Sequence, residues 1–152
     1  MKNRTMARTV MVAGLCLVGG ALTGCFGDCF SDVKTSITVA DNIPITAGKS
    51  IRIRVVPDAT GSDAQGIPID NNSNSVSNIS LTLADGVRSY EAVVKNQAWQ
   101  KMSIYAYIDS NDNFTLDSGE PFAVDAGNPV DLADGNSCKD HTSNLVIDRI
   151  RQ

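Results

Sequence analysis

Histidine and glutamate are nearly missing from this chain. His141 is the single histidine, and Glu91 and Glu120 are the only glutamates in 152 residues. A Ser–His–Asp mechanism needs that one imidazole as its base. His141 lies in the polar stretch Lys139-Asp140-His141-Thr142, no G-x-S-x-G motif accompanies it, and it reads as a surface residue. A glycine-rich phosphate loop is also lacking. Aspartate is so abundant that pairs of acids carry no signal for a glycosidase. Aromatics make up 5% of the chain. Tyr90, Trp99, Tyr105 and Tyr107 are candidates for a sugar-stacking face, although core packing accounts for them more simply. The longest apolar run, Val10 to Leu22, has 13 residues, short of the ~20 that a spanning helix needs. No stretch has a helical period, and no catalytic residue is identified; the chain reads as a non-enzyme.

What is present begins with a targeting signal. Lys2, Arg4 and Arg8 precede the apolar run and no acid does, the pattern of a secretory signal peptide. Leu22-Thr23-Gly24-Cys25 follows. This tetrapeptide resembles the bacterial lipobox, which implies a diacylglycerol on the Cys25 thiol and cleavage before it. Cys16 lacks the small flanks of that motif. The alternative is ordinary signal-peptidase cleavage nearby, leaving Cys25 free. Two or more acyl chains hold a protein stably on a membrane at ~0.8 kcal/mol per buried CH₂. The chain divides accordingly into a signal peptide (1–24), a lipidated tether (25–32) and one domain (33–152). Phe26, a non-Asp residue after the lipidated position, is compatible with the outer membrane of a bacterial envelope.

With Cys16 removed and Cys25 lipidated, Cys29 and Cys138 remain. Two thiols in an exported chain imply a disulfide, with two unpaired thiols as the alternative. Closing a loop of about 100 residues would stabilise by ~4.7 kcal/mol in the chain-entropy view, less any strain. His141 stands three residues after Cys138, but two potential ligands do not make a zinc site. Taking the three basic residues of the signal away from 13, against 17 acids, leaves a formal charge of −7. That balance argues against nucleic acid as a partner. It suits divalent cations, and it equally suits plain solubility.

Beyond the tether the apolar residues alternate, the signature of half-buried strands. Val33/Thr35/Ile37/Val39, Ile51/Ile53/Val55, Ile79/Leu81/Leu83, Tyr90/Ala92/Val94 and Met102/Ile104/Ala106/Ile108 each share a face. Phe122/Val124 and Leu145/Ile147 add two more strands. Asp85-Gly86 marks a hairpin turn, and Asn96–Gln100, with Trp99, an irregular link. The expected fold is an all-β, antiparallel, immunoglobulin-like or transthyretin-like β-sandwich of about seven strands; a small β-barrel is the alternative. Asp58–Ser75 is a long polar loop that reads as disordered. Its Asp70-Asn71-Asn72-Ser73-Asn74 has D-x-N-x-N spacing, but no acid follows where a calcium loop needs one.

The stretch YIDSNDNFTLDSGEP, Tyr107 to Pro121, supplies oxygen at alternate positions. Asp109, Asn111 and Asn113 come first, then Thr115 through its carbonyl, Asp117 and Glu120. This resembles the EF-hand-type loop D-x-[DN]-x-[DN]-G-x₅-E. It is also similar to calcium loops set between strands in β-sandwich modules of bacterial surface proteins. The resemblance implies structural Ca²⁺ held by these six residues. Phe114 stands where the pattern has glycine, and a bulky residue at positive φ is an outlier. The alternative is a hairpin loop whose Asp and Asn side chains bond their own backbone. The chain thus reads as a non-catalytic, lipid-anchored envelope protein contacting an envelope protein or glycan. The second reading is an accessory subunit or weak hydrolase acting on envelope glycans.

Overall fold

Alternation sets the first strand. In β1 (Ser31–Val39) every odd residue is buried and the even residues face outward. The structure, a computed structural model, describes residues 30–57, 61–69, 77–97, 101–134 and 137–152. The signal segment, the lipobox with Cys25, Cys29, the Asp70–Asn74 run and Trp99 lie outside the described residues.

Chain order continues with β2 (Ser50–Pro57), β3 (Ser77–Thr82), β4 (Ser89–Gln97), β5 (Lys101–Asp109), β6 (Pro121–Val124), β7 (Val130–Asp131), β8 (Ala133–Asp134), β9 (Ser137–Cys138), β10 (His141–Ile147) and β11 (Arg149–Ile150). One sheet has three strands, in order β10-β1-β4. The other has six, in order β11-β6-β5-β2-β3, with β7 also on β5. β8 and β9 form a separate two-stranded pair. The fold is all-β and sandwich-like, and the sheets are not closed into a barrel. The seven expected strands are all present; the four unforeseen ones have two residues each, too short for an alternating pattern.

Two expectations need correction. The sandwich is not purely antiparallel, because β10 returns alongside β1 in parallel, from Val33 opposite His141 to Val39 opposite Ile147. Nor does Asp85-Gly86 close a hairpin. The turn is present, with Gly86 at φ 71° and the Val87 N–H donating to the Ala84 carbonyl at 3.2 Å. However, β3 pairs with β2 and β4 pairs with β1, so the chain crosses there from one sheet to the other.

Between the sheets lies the main core. Val33, Ile37 and Val39 of β1 meet Ile51, Ile53 and Val55 of β2, the Met102, Ile104, Ala106 and Ile108 face of β5, and Leu145 and Ile147 of β10. Burial of each such side chain stabilises by about 1.5–3 kcal/mol. β5 is buried on both faces. Its other row, with Tyr105 and Tyr107, joins Val56, Ile67 and Phe122 in a second apolar cluster.

Residues 61–69 supply part of that cover, which corrects the expectation of disorder for this part of the loop. Ile67 is buried, and Ser62 bridges Pro68. Asp63 Oδ1 accepts from the Gln65 and Ile67 N–H groups at 2.9 and 3.0 Å, and its other oxygen takes an ion pair from Arg151. Burial pushes the Asp63 carboxyl up, but the Arg151 hydrogen bond and these backbone donors outweigh it and leave the group below its ordinary value.

Candidate metal centre

The loop from Asp109 to Glu120 leaves the end of β5 and returns into β6. Asp109 is fully buried. Its Oδ2 accepts from Arg52 Nε at 3.0 Å and from the Phe114 N–H at 3.1 Å, and its Oδ1 accepts from the Asn113 N–H at 3.1 Å. One carboxylate therefore neutralises an arginine on β2 and gathers the middle of the loop. Asn111 Oδ1 accepts from the Asn113 N–H at 3.2 Å, and Asn113 Oδ1 from the Thr115 N–H at 2.8 Å. These are Asx turns, the local bonds that Asn offers a tight loop.

The far end closes in a similar way. Both asparagine amides donate to Asp117 Oδ2, at 2.8 Å from Asn111 and 2.6 Å from Asn113. Those two donors hold the Asp117 carboxyl below its ordinary value. Glu120 is buried; its Oε1 accepts from the Ser110 N–H at 2.6 Å and its Oε2 from the Asp117 N–H at 3.0 Å. The Glu120 N–H in turn donates to the Asp117 carbonyl at 3.2 Å. This makes one half of a capping box, the Glu120 carboxylate on the Asp117 N–H, while the return bond goes to the Asp117 backbone carbonyl and not to its side chain. Arg151 of the C-terminal segment pairs by backbone with Gly119 and Glu120.

Phe114 takes the dihedral expected of glycine, φ 66°. A non-glycine residue there costs roughly 1–2 kcal/mol. Three contacts offset it: the Asp109 bond to its N–H, Arg54 Nη1 donating to its carbonyl at 3.4 Å, and the Arg52 guanidinium 3.9 Å over its ring. The residue that departs from the calcium-loop pattern thus keeps the backbone turn of that pattern.

The six candidate ligands are gathered in one loop but not onto one point. Asn111, Asn113 and Asp117 meet; Asp109 and Glu120 are turned to other donors. Among the described residues no three His, Cys, Asp or Glu side chains are grouped to hold a metal ion. The fit to Ca²⁺ is therefore partial: the loop's shape and oxygen supply suit the ion, while its carboxylates bind N–H groups. Cys138 is disulfide-bonded. The pairing expected with Cys29 falls outside the described residues.

The sequence missed the partner of His141, which is not a plain surface residue. It opens β10, half-buried, with Nε2 3.1 Å from Asp125 Oδ2. Asp125 Oδ1 accepts from the Gly127 N–H at 2.7 Å. The fully buried Ser143 hydroxyl lies beside the carboxylate, in a geometry poor for a hydrogen bond. The acid sits between Ser143 and His141, so these three side chains do not have the order of a Ser–His–Asp triad. Burial pushes the Asp125 carboxyl up, but Ser143, Gly127 and His141 outweigh it and hold the group below its ordinary value. A depressed folded pKa gives stability that is present above the unfolded value and lost as pH falls through the folded one. Asp125→Asn is expected to cost about 1–3 kcal/mol at neutral pH. Urea unfolding should show the gap from wild type closing below pH ~4.

Tyr105 and Tyr107 are buried at 8% and 1% exposure, in the second apolar cluster and not on an open stacking face. Tyr90 is half-buried, its hydroxyl tied to Ala84 and Val87. No protein-family model, curated protein or solved structure matches this chain.

Proposed function

We propose that this chain is a non-catalytic envelope module, lipid-anchored through Cys25 and stapled by Cys29–Cys138, that presents a loop-covered β-sandwich to an envelope protein or glycan. Its finer topology is taken as immunoglobulin-like or transthyretin-like. The observation that carries this reading is the cover over the second face of the six-stranded sheet. Tyr105, Tyr107 and Phe122, which would otherwise line an open stacking face, are buried with Ile67. Such a face offers rigid loops for recognition.

Calcium enters as a stiffening ion. Asp109, Asn111, Asn113, Asp117 and Glu120 would hold it by side chains and Thr115 by its carbonyl. The cation would displace the two amide donors from Asp117 and supply the positive charge that this trio of acids otherwise draws from N–H groups and Arg52.

Cys25→Ser tests the anchor. Wild-type chain is expected in the membrane fraction, released by detergent and not by high salt; the variant is expected in the soluble fraction. Membrane retention of the variant would overturn the lipid assignment. The glycan-hydrolase alternative is separated by assaying purified chain on envelope glycans, where turnover abolished by a carboxylate variant would favour it.

A further inference from the structure

The outer face of the six-stranded sheet is not wholly covered. Where the cover ends, cross-strand register lines up Tyr107, Arg52 and Ser80 in one row, and Tyr105, Arg54 and Asn78 in the next. A recess of about 220 Å³ lies over these rows, walled on one side by the exposed Phe114 ring.

Its chemistry is one-sided. Its polar lining residues are Arg52, Arg54, Asn78 and Ser80, and the greater part of its surface is apolar. The Tyr107 side chain lines the same recess, and its hydroxyl is fully buried beside the Arg54 guanidinium, in a geometry poor for a hydrogen bond. Burial pushes this phenol up to about 12, against the opposing charge of Arg54, so it stays protonated. A buried hydroxyl without a well-formed hydrogen bond is destabilising, and an acceptor entering the recess relieves that. Among the described residues no carboxylate lines the recess; Asp109 meets Arg52 from the fully buried side. Arg52 uses its Nε on Asp109, and its guanidinium carbon lies 3.9 Å over the Phe114 ring; the two contacts together hold the fork in place.

We infer that this recess binds a carboxylate on a short apolar stem, with the Arg52 fork and the Tyr107 hydroxyl on the oxygens and Phe114 and Ile79 against the stem. A planar fork matches a carboxylate in two parallel bonds. The volume falls below the ~300–1,000 Å³ of drug-sized pockets, which limits the occupant to a group the size of a small dicarboxylate or one acidic side chain. The site deepens the binding-module reading but needs neither the lipid nor calcium.

The test is a titration of the full chain, detergent-solubilised and in chelator, followed by the Arg52 Nε–Hε resonance in ¹⁵N-arginine-labelled protein. Glutarate is expected to give a saturable shift, and neutral glutaramide none. Tyr107→Phe should keep the fold, since that hydroxyl makes no well-formed hydrogen bond, and should weaken glutarate at least about tenfold. An acidic peptide binding more tightly than glutarate would place the carboxylate on a protein partner; glutarate binding more tightly would place it on a free metabolite. No saturable shift, equal affinity in Tyr107→Phe, or inorganic phosphate binding as well as glutarate would each overturn the carboxylate site. Because chelator is present throughout, failure here leaves the anchor and the calcium loop untouched.

Discussion

Asp109→Ala is expected to lower the stability of the domain by about 3–5 kcal/mol, the cost of leaving a buried charge without its partner. The wild-type carboxylate has no exposure, and the Arg52 side chain has 12%. Truncation strands that guanidinium against Tyr107, leaves the Phe114 N–H without its acceptor, and leaves the Asn113 N–H with Asn111 Oδ1 alone. It also removes one of the three contacts that offset the positive φ of Phe114. For a domain of this size the loss corresponds to roughly 10–20 °C in melting temperature. Arg52→Leu alone should cost less, because Asp109 keeps two backbone donors. The double variant should cost less than the sum of the two, since the pair is one coupled unit. Urea unfolding of the four proteins reads this directly. A loss under ~1 kcal/mol for Asp109→Ala would mean that solvent enters freely and the pair is no more than a surface bridge.

The sequence locates Asp109 without showing what it does. Alternation in β5 separates Met102, Ile104, Ala106 and Ile108 from Tyr105, Tyr107 and Asp109, and that division is correct. A period of two says which residues share a face; it says nothing of what covers the face. The cover comes from residues 61–69, from the loop after β5, and from the C-terminal Arg151, 88 positions away from its partner Asp63. Contacts of that separation leave no local pattern. The same limit hid the His141–Asp125 pair and the parallel return of β10 beside β1, since alternation is identical in parallel and antiparallel strands. Asp85-Gly86 failed as a hairpin signal for a related reason: turn chemistry fixes where the chain bends, while the apolar faces of β3 and β4 decide which sheet each strand joins. The loop itself was the most legible part. Asn111 and Asn113 make their Asx bonds at the positions their spacing implies, and the glycine position of the pattern takes positive φ even with Phe114 there.

Calcium at about 10 mM is expected to raise the melting temperature of the protein relative to chelator, and Glu120→Ala to abolish that rise. Extracellular calcium modules bind at ~10⁻⁴–10⁻³ M. At such affinities 10 mM ion stabilises by about 1.4–2.7 kcal/mol through mass action, or roughly 4–12 °C. The quantity that decides is the difference between calcium and chelator, not the absolute melting point. Glu120 also caps the Ser110 and Asp117 N–H groups, so Glu120→Ala lowers stability by about 1–3 kcal/mol with no ion present. Asn111→Ala separates the two roles further. It removes an amide that competes with the ion for Asp117, together with one proposed ligand oxygen, and should shrink the calcium-dependent rise while leaving the Glu120 cap intact. Magnesium, which demands near-octahedral geometry and dehydrates reluctantly, should give a smaller rise than calcium. Identical melting in millimolar calcium and in chelator would show that the Asn amides and backbone N–H groups already supply all the positive charge this loop requires, and that its likeness to a calcium loop is one of shape alone.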